Sequence, residues 1–133
     1  MLGSRNGLLL KNSIRVGFQH LQSEQCFSEL QKSNSRIALC TDSLPHFLEP
    51  KWFDGKVLIL DECMETINHI LTSSTHCKNR AKCLKKWAEC LKRCKVIICM
   101  DGNLSDWAID KYILKLTGYR KVMKVENLSL IHI

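Results

Sequence analysis

Four apolar residues, Val57-Leu58-Ile59-Leu60, run directly into the paired acids Asp61-Glu62. No other feature constrains the fold of this chain as tightly. A short run rich in β-branched residues and leucine, with no polar alternation, suits a buried parallel strand rather than a half-solvated one. In an open α/β sheet the C-terminal edges of such strands carry the ligand-binding groups. Adjacent carboxylates at that edge offer hard, ionised oxygens for Mg²⁺ and for polarising an attacking water beside a triphosphate. The same tetrapeptide and acids equally describe an ordinary strand followed by an acidic helix start, where the dipole favours negative charge.

Two further runs share the pattern. Arg36-Ile37-Ala38-Leu39-Cys40 leads into Thr41-Asp42-Ser43, and Lys95-Val96-Ile97-Ile98-Cys99-Met100 leads into Asp101-Gly102-Asn103. Unbroken apolar runs predict a parallel sheet covered on both faces. Residues 121–125 form a more polar fourth strand candidate. Helical segments separate the runs. Ser13 to Leu30 is predicted helical, with Phe18, Leu21, Cys26 and Leu30 toward the core, and Met64, Ile67, Ile70 and Leu71 give a short apolar face after the acids. Leu84, Trp87, Ala88 and Leu91, continued by Cys94, recur at helical spacing and predict a helix from Asn79 to Arg93. Ser105 is placed to cap a helix from Asp106 to Leu116, and Gly118 to end it. Strands alternating with helices give the α/β class with right-handed crossovers.

At 133 residues the chain has room for one core. Twenty Lys and Arg against thirteen Asp and Glu leave a charge of +7, which favours an anionic partner such as nucleic acid. The eight cysteines include no C-x-x-C pair, and Cys77, Cys83, Cys90, Cys94 and Cys99 match no common zinc spacing, so free thiols in a reducing, cytoplasmic setting are expected and zinc is not. The start lacks a signal-peptide pattern, and no apolar run approaches the ~20 residues of a bilayer span. No membrane association is expected.

Thr72-Ser73-Ser74-Thr75 precede a basic helix in which Lys78, Arg80, Lys82, Lys85, Lys86, Lys92, Arg93 and Lys95 meet one acid, Glu89. Hydroxyls at a helix start, with Arg80, suit phosphate contact, and the lysines suit a non-specific electrostatic footprint. A solvated basic face opposite the Leu84/Trp87/Leu91 stripe describes the individual lysines as well. Trp87 is assigned to the core; Trp52 and Trp107 are left between packing and base stacking. The five histidines show no paired ligand spacing. The motif G-x-x-x-x-G-K-[ST], whose amides and lysine hold the β- and γ-phosphates, is missing: the one Gly-Lys pair, Gly55-Lys56, is followed by Val57 and has Pro50 in place of the first glycine. The chain by itself is not expected to hydrolyse ATP.

Together, RIALCTDSL, VLILDECMETINHILTSSTHCKNRAKCLKKW and VIICMDGNLSDWAIDKYI resemble the helicase region of plasmid replication proteins of the cyanobacterial type. That region is related to viral origin-of-replication-binding proteins and DEAD-like superfamily-two helicases. The resemblance runs from about Ile14 to Val125 and implies a partial first RecA-like domain, of the P-loop NTPase type: a parallel sheet flanked by helices that lacks the phosphate-loop strand. Residues 1–13 would then end an N-terminal portion and 128–133 be a truncated tail. It implies that Asp61 binds Mg²⁺ through water and Glu62 activates water. Asp101, Asn103, Ser105 and Asp106 would couple hydrolysis to domain movement. Asp42 and Ser43, with Thr72, Ser73, Ser74, Thr75 and Arg80, would lie near the DNA track or the nucleotide cleft. Family members usually carry Ala where Gly102 stands and an acid where Asn103 stands. The implied cofactors are ATP and Mg²⁺, and the implied partners are DNA and a second RecA-like domain. The chain is thus expected to be part of an ATP-dependent DNA helicase acting in plasmid replication initiation. The alternatives are a non-hydrolysing RecA-like nucleic-acid-binding module and a small redox or zinc protein.

Overall fold

The computed structural model describes residues 1–3, 15, 17, 19–20, 36–41, 49–74, 78–118 and 123. Five parallel strands, β1 (Leu2–Gly3), β2 (Gln19–His20), β3 (Ile37–Cys40), β4 (Val57–Asp61) and β5 (Val96–Met100), form one sheet in the order β2-β3-β1-β4-β5. Leu2 lies opposite Leu39 on one side and Leu60 on the other, so β1 is the central strand. The β4–β5 pairing runs in register from Val57↔Val96 to Asp61↔Met100. All three strands expected from the apolar runs form, and the α/β class holds, with helices packed on the sheet.

Helix α1 (Cys63–Thr72) follows β4 after a single residue, Glu62, which adopts a left-handed conformation at φ 49° and ψ 59°. That conformation crowds Cβ against the next carbonyl at about 1–2 kcal/mol and turns the chain sharply off the strand. Cys63, Thr66, Ile67 and Ile70 are buried along one stripe of α1. Helix α2 (Arg80–Arg93) buries Cys83, Trp87, Cys90 and Leu91 at the spacing expected from sequence. These side chains join Leu58 and Leu60 in a single core, with Ile97 and Cys99 packed against it. The Trp87 indole N–H donates to the Tyr112 carbonyl at 3.3 Å, which satisfies the one polar group of an otherwise core residue.

The end of α2 is tied to the start of β4. Gly55 N–H donates to the Arg93 carbonyl at 3.2 Å and Lys95 N–H to the Lys56 carbonyl at 2.8 Å. After β5 comes helix α3 (Asp106–Ile109), a π-helical turn (Asp110–Leu114) and helix α4 (Lys115–Thr117). The Ser105 hydroxyl accepts from Ala108 N–H at 3.4 Å, and Gly118 closes the run at φ 76°. Both caps match the sequence reading.

Three expectations need correction. The single helix from Ser13 to Leu30 is interrupted: Arg15 is helical, Gly17 turns the chain at φ 74°, and Gln19–His20 form β2. Glycine takes that φ without penalty, which allows the turn there. The proposed core contacts Phe18, Leu21, Cys26 and Leu30 lie outside the described residues. In the 121–125 strand candidate, Met123 belongs to no strand and is exposed; its neighbours lie outside the described residues. Finally, the sheet is not covered on both faces over β4 and β5. Leu58 and Leu60 are buried under the helices, whereas Val57 (53%), Val96 (43%), Ile98 (42%) and Met100 (40%) are exposed on the opposite face.

Candidate functional site

The register brings the strand ends into one row. Gly3 sits opposite Cys40, Leu2 opposite Leu60, and Asp61 opposite Met100, so Gly3, Thr41, Asp61 and Asp101 all emerge at the C-terminal edge. Strand order reverses at β1, with β2 and β3 on one side and β4 and β5 on the other. In open parallel sheets this reversal opens the crevice in which ligands bind. Asp61 stands beside that crevice. It is half-buried, and its carbonyl accepts the Thr66 hydroxyl at 2.9 Å, which anchors the strand end to the second turn of α1. Glu62 is exposed and its side chain does not cap α1.

The cap comes from β5 instead. Asp101 Oδ2 accepts Met64 N–H at 2.7 Å, and its Oδ1 accepts Asn103 N–H at 2.8 Å. One carboxylate therefore satisfies an amide in the first turn of α1 and shapes the turn that leads to α3. Strand alternation places Asp61 in phase with Val57 and Ile59, on the face away from the helices, while Asp101 lies on the helix side. The two acids share an edge but face opposite sides of the sheet. Asn103 is exposed, Ser105 caps α3, and Asp106 is the exposed acid of its first turn. All four residues of this stretch thus meet at the β5–α3 turn.

The hydroxyl cluster lies elsewhere. Thr72 ends α1, nine residues and about 13.5 Å of helix from Cys63, so Thr72, Ser73, Ser74 and Arg80 do not join Asp61 and Glu62. The Thr72 hydroxyl donates back to the Asn68 carbonyl at 2.8 Å, and Arg80 Nη2 donates to the Ser73 carbonyl at 2.9 Å. Arg80 therefore links the end of α1 to the start of α2, while its Nε is buried without a partner. Thr75, Asp42 and Ser43 lie outside the described residues. On α2, Lys82, Lys85 and Lys92 are exposed opposite the buried Cys83/Trp87/Leu91 stripe, and Lys78 is exposed just before it. Trp107 is exposed, with Lys111 Nζ 4.9 Å from its ring centroid. Trp52 is half-buried and stacks edge-on to Phe53 at 5.3 Å. An open depression of about 550 Å³ lined by Glu49, Pro50, Lys51, Glu89, Lys92 and Arg93 lies at the other edge of the sheet.

Local sequence rules missed several features of the edge. Thr41 is fully buried at the end of β3 and its hydroxyl has no partner. Cys63, the first residue of α1, lies in the core against which Cys99 of β5 packs. Donation from Cys63 holds the Cys99 thiol below its usual value, and the same bond, reinforced by burial, pushes Cys63 well up. Burial pushes Cys90 up to about 12. Among the described residues no group of three or more His, Cys, Asp or Glu side chains is placed to hold a metal ion, and no helix is long and apolar enough to cross a membrane. Any Mg²⁺ at this edge would rest on Asp61, with water or ligand oxygens completing its shell. Compared with protein-family models, curated proteins and solved structures, the chain matches none.

Proposed function

We propose that this chain is part of a cytoplasmic ATP-dependent DNA helicase of the plasmid replication-initiation type, carrying the Mg²⁺–ATP acids of a RecA-like domain. The observation that carries the reading is the position of Asp61-Glu62 at the C-terminal edge of β4, next to the central strand where strand order reverses. Asp61 would hold Mg²⁺ through water, and Glu62 would orient and polarise the attacking water. No G-x-x-x-x-G-K-[ST] occurs in the 133 residues, so the phosphate-binding amides and lysine must come from another segment, and the chain alone is expected not to turn over ATP. The exposed Lys78, Lys82, Lys85 and Lys92 supply a footprint for the DNA backbone.

A non-hydrolysing nucleic-acid-binding module is the second reading. It is favoured by Asp101, whose carboxylate accepts two backbone amides and holds α1 in place. Titration with a fluorescent ATP analogue, with and without Mg²⁺, on the chain joined to a segment that supplies the phosphate-binding loop separates the two. The helicase reading expects Mg²⁺-dependent binding that Asp61→Asn abolishes and Lys82→Glu leaves alone. Binding indifferent to both Mg²⁺ and Asp61→Asn, alongside salt-sensitive capture of single-stranded DNA, would establish the module instead.

A further inference from the structure

We infer that Cys63 and Cys99 are a peroxide-oxidisable thiol pair that closes to a disulfide between the first turn of α1 and β5. The topology places them together from two separate elements. Cys63 is the first residue of α1, one residue beyond the left-handed Glu62, and is fully buried. Cys99 lies on β5 directly across from Leu60, on the helix-facing side of the strand, and is half-buried. The Asp101 bond to Met64 N–H clamps the same two elements one step further along, so both cysteines lie at one fixed junction. Cys63 belongs to the buried core against which Cys99 packs.

Accessibility divides the labour. Cys99 is the one cysteine among the described residues that is not buried, so an oxidant meets it first; Cys63 waits behind it, shielded from solvent. None of the other described thiols has this arrangement. Cys94 Sγ donates to the Cys90 carbonyl at 3.2 Å, and Cys40, Cys83, Cys90 and Cys94 are all buried. With hydrogen peroxide as oxidant, the Cys99 sulfur forms an S–O bond as the O–O bond breaks, and the departing hydroxide takes the thiol proton as water. The Cys63 sulfur then attacks Cys99; the S–S bond forms, the S–O bond breaks, and the second hydroxide leaves with the Cys63 proton as water. Two thiols and one peroxide give one disulfide and two waters. This chemistry rests on the thiol geometry and is independent of the nucleotide reading.

The test uses the unmodified 133-residue chain. The reduced protein is exposed to one equivalent of hydrogen peroxide, free thiols are blocked with N-ethylmaleimide, and tryptic peptides are mapped by mass spectrometry. The expected product joins peptide 57–78 to peptide 96–111 with loss of two hydrogens, and fragmentation assigns the bond to Cys63 rather than Cys77. Dithiothreitol should restore both thiols. In Cys63→Ala a second equivalent of hydrogen peroxide should carry Cys99 from the sulfenic on to the sulfinic acid, because no resolving thiol remains. Recovery of Cys99 as the maleimide adduct, as sulfinic acid without cross-link in the unmodified chain, or bonded to any other cysteine would overturn the inference.

Discussion

Replacing Asp101 with alanine isolates the contact that ties β5 to α1. Its Oδ2 takes Met64 N–H at 2.7 Å and its Oδ1 takes Asn103 N–H at 2.8 Å, both short and charge-assisted. Loss of a helix-capping side chain typically costs about 1 kcal/mol, and an anion at a helix N-terminus adds about 0.5 kcal/mol through the dipole. The Asn103 turn contributes a further ~0.5 kcal/mol, which brings the expected loss to about 2 kcal/mol. A chain of 133 residues unfolds with an entropy of about 0.28 kcal/mol/K, so the melting temperature should fall by about 7 °C. Asp101→Asn keeps an acceptor oxygen for one of the two amides and should lose roughly half as much. Glu62→Ala serves as the contrast, because the Glu62 side chain is exposed and does not cap α1. Thermal unfolding followed by far-ultraviolet circular dichroism reads all three. A shift below about 2 °C for Asp101→Ala, or one equal to that of Glu62→Ala, would refute the cross-strand cap.

Thr41→Val should stabilise the protein by about 1 kcal/mol, since it removes a buried hydroxyl that has no partner and keeps the side-chain shape; a lower melting temperature would show that the hydroxyl is satisfied in solution. Ile98→Lys places a charge on the exposed face of an edge strand and should reduce light scattering at high concentration with little change in stability; unchanged scattering would mean that this face does not drive association. Burial lowers the Met1 amino group from 8.0 to about 5 in the folded chain, where it donates to the Ile37 carbonyl. Because the unfolded chain binds that proton at higher pH than the folded one, the stabilisation is full above pH 8 and is lost as pH falls toward 5, by at most about 4 kcal/mol. Urea midpoints should therefore rise steadily from pH 5 to pH 8, and a flat profile over that window would contradict the buried amine.

The elements visible in the sequence are those whose signal is local. β3, β4 and β5 follow from their apolar runs, and α2 from the recurrence of Leu84, Trp87 and Leu91. The caps at Ser105 and Gly118 follow from the chemistry of single residues. β1 and β2 were not visible because each has two residues, too few for any periodicity; they are strands through pairing with β3 and β4. The helix drawn across Gly17 ignored a residue able to reverse the backbone at no steric cost. Capping was sought at Asp61 and Glu62 because they adjoin α1, but the cap comes from a carboxylate 37 positions away. No local rule finds such a partner. The apolar run of β5 measured the area available for burial, not the number of faces that receive a neighbour.

The division of the acids between the two faces of the sheet follows from the core rather than from the acids themselves. Asp61 pairs with Met100, which leaves Asp101 one step out of phase with it. A slip of β5 by one residue would set Asp101 opposite Asp61 and bring both carboxylates to one face. The same slip would turn Ile97 and Cys99 away from Leu58 and Leu60 and send Val96 and Ile98 inward. It would also break the bond that Asp101 makes to α1 and separate Cys99 from Cys63. Packing against Leu58 and Leu60, the cap on α1 and the thiol contact all depend on one register. Whatever chemistry Asp61 and Glu62 perform at this edge, they perform it with Asp101 held on the other side as a structural carboxylate.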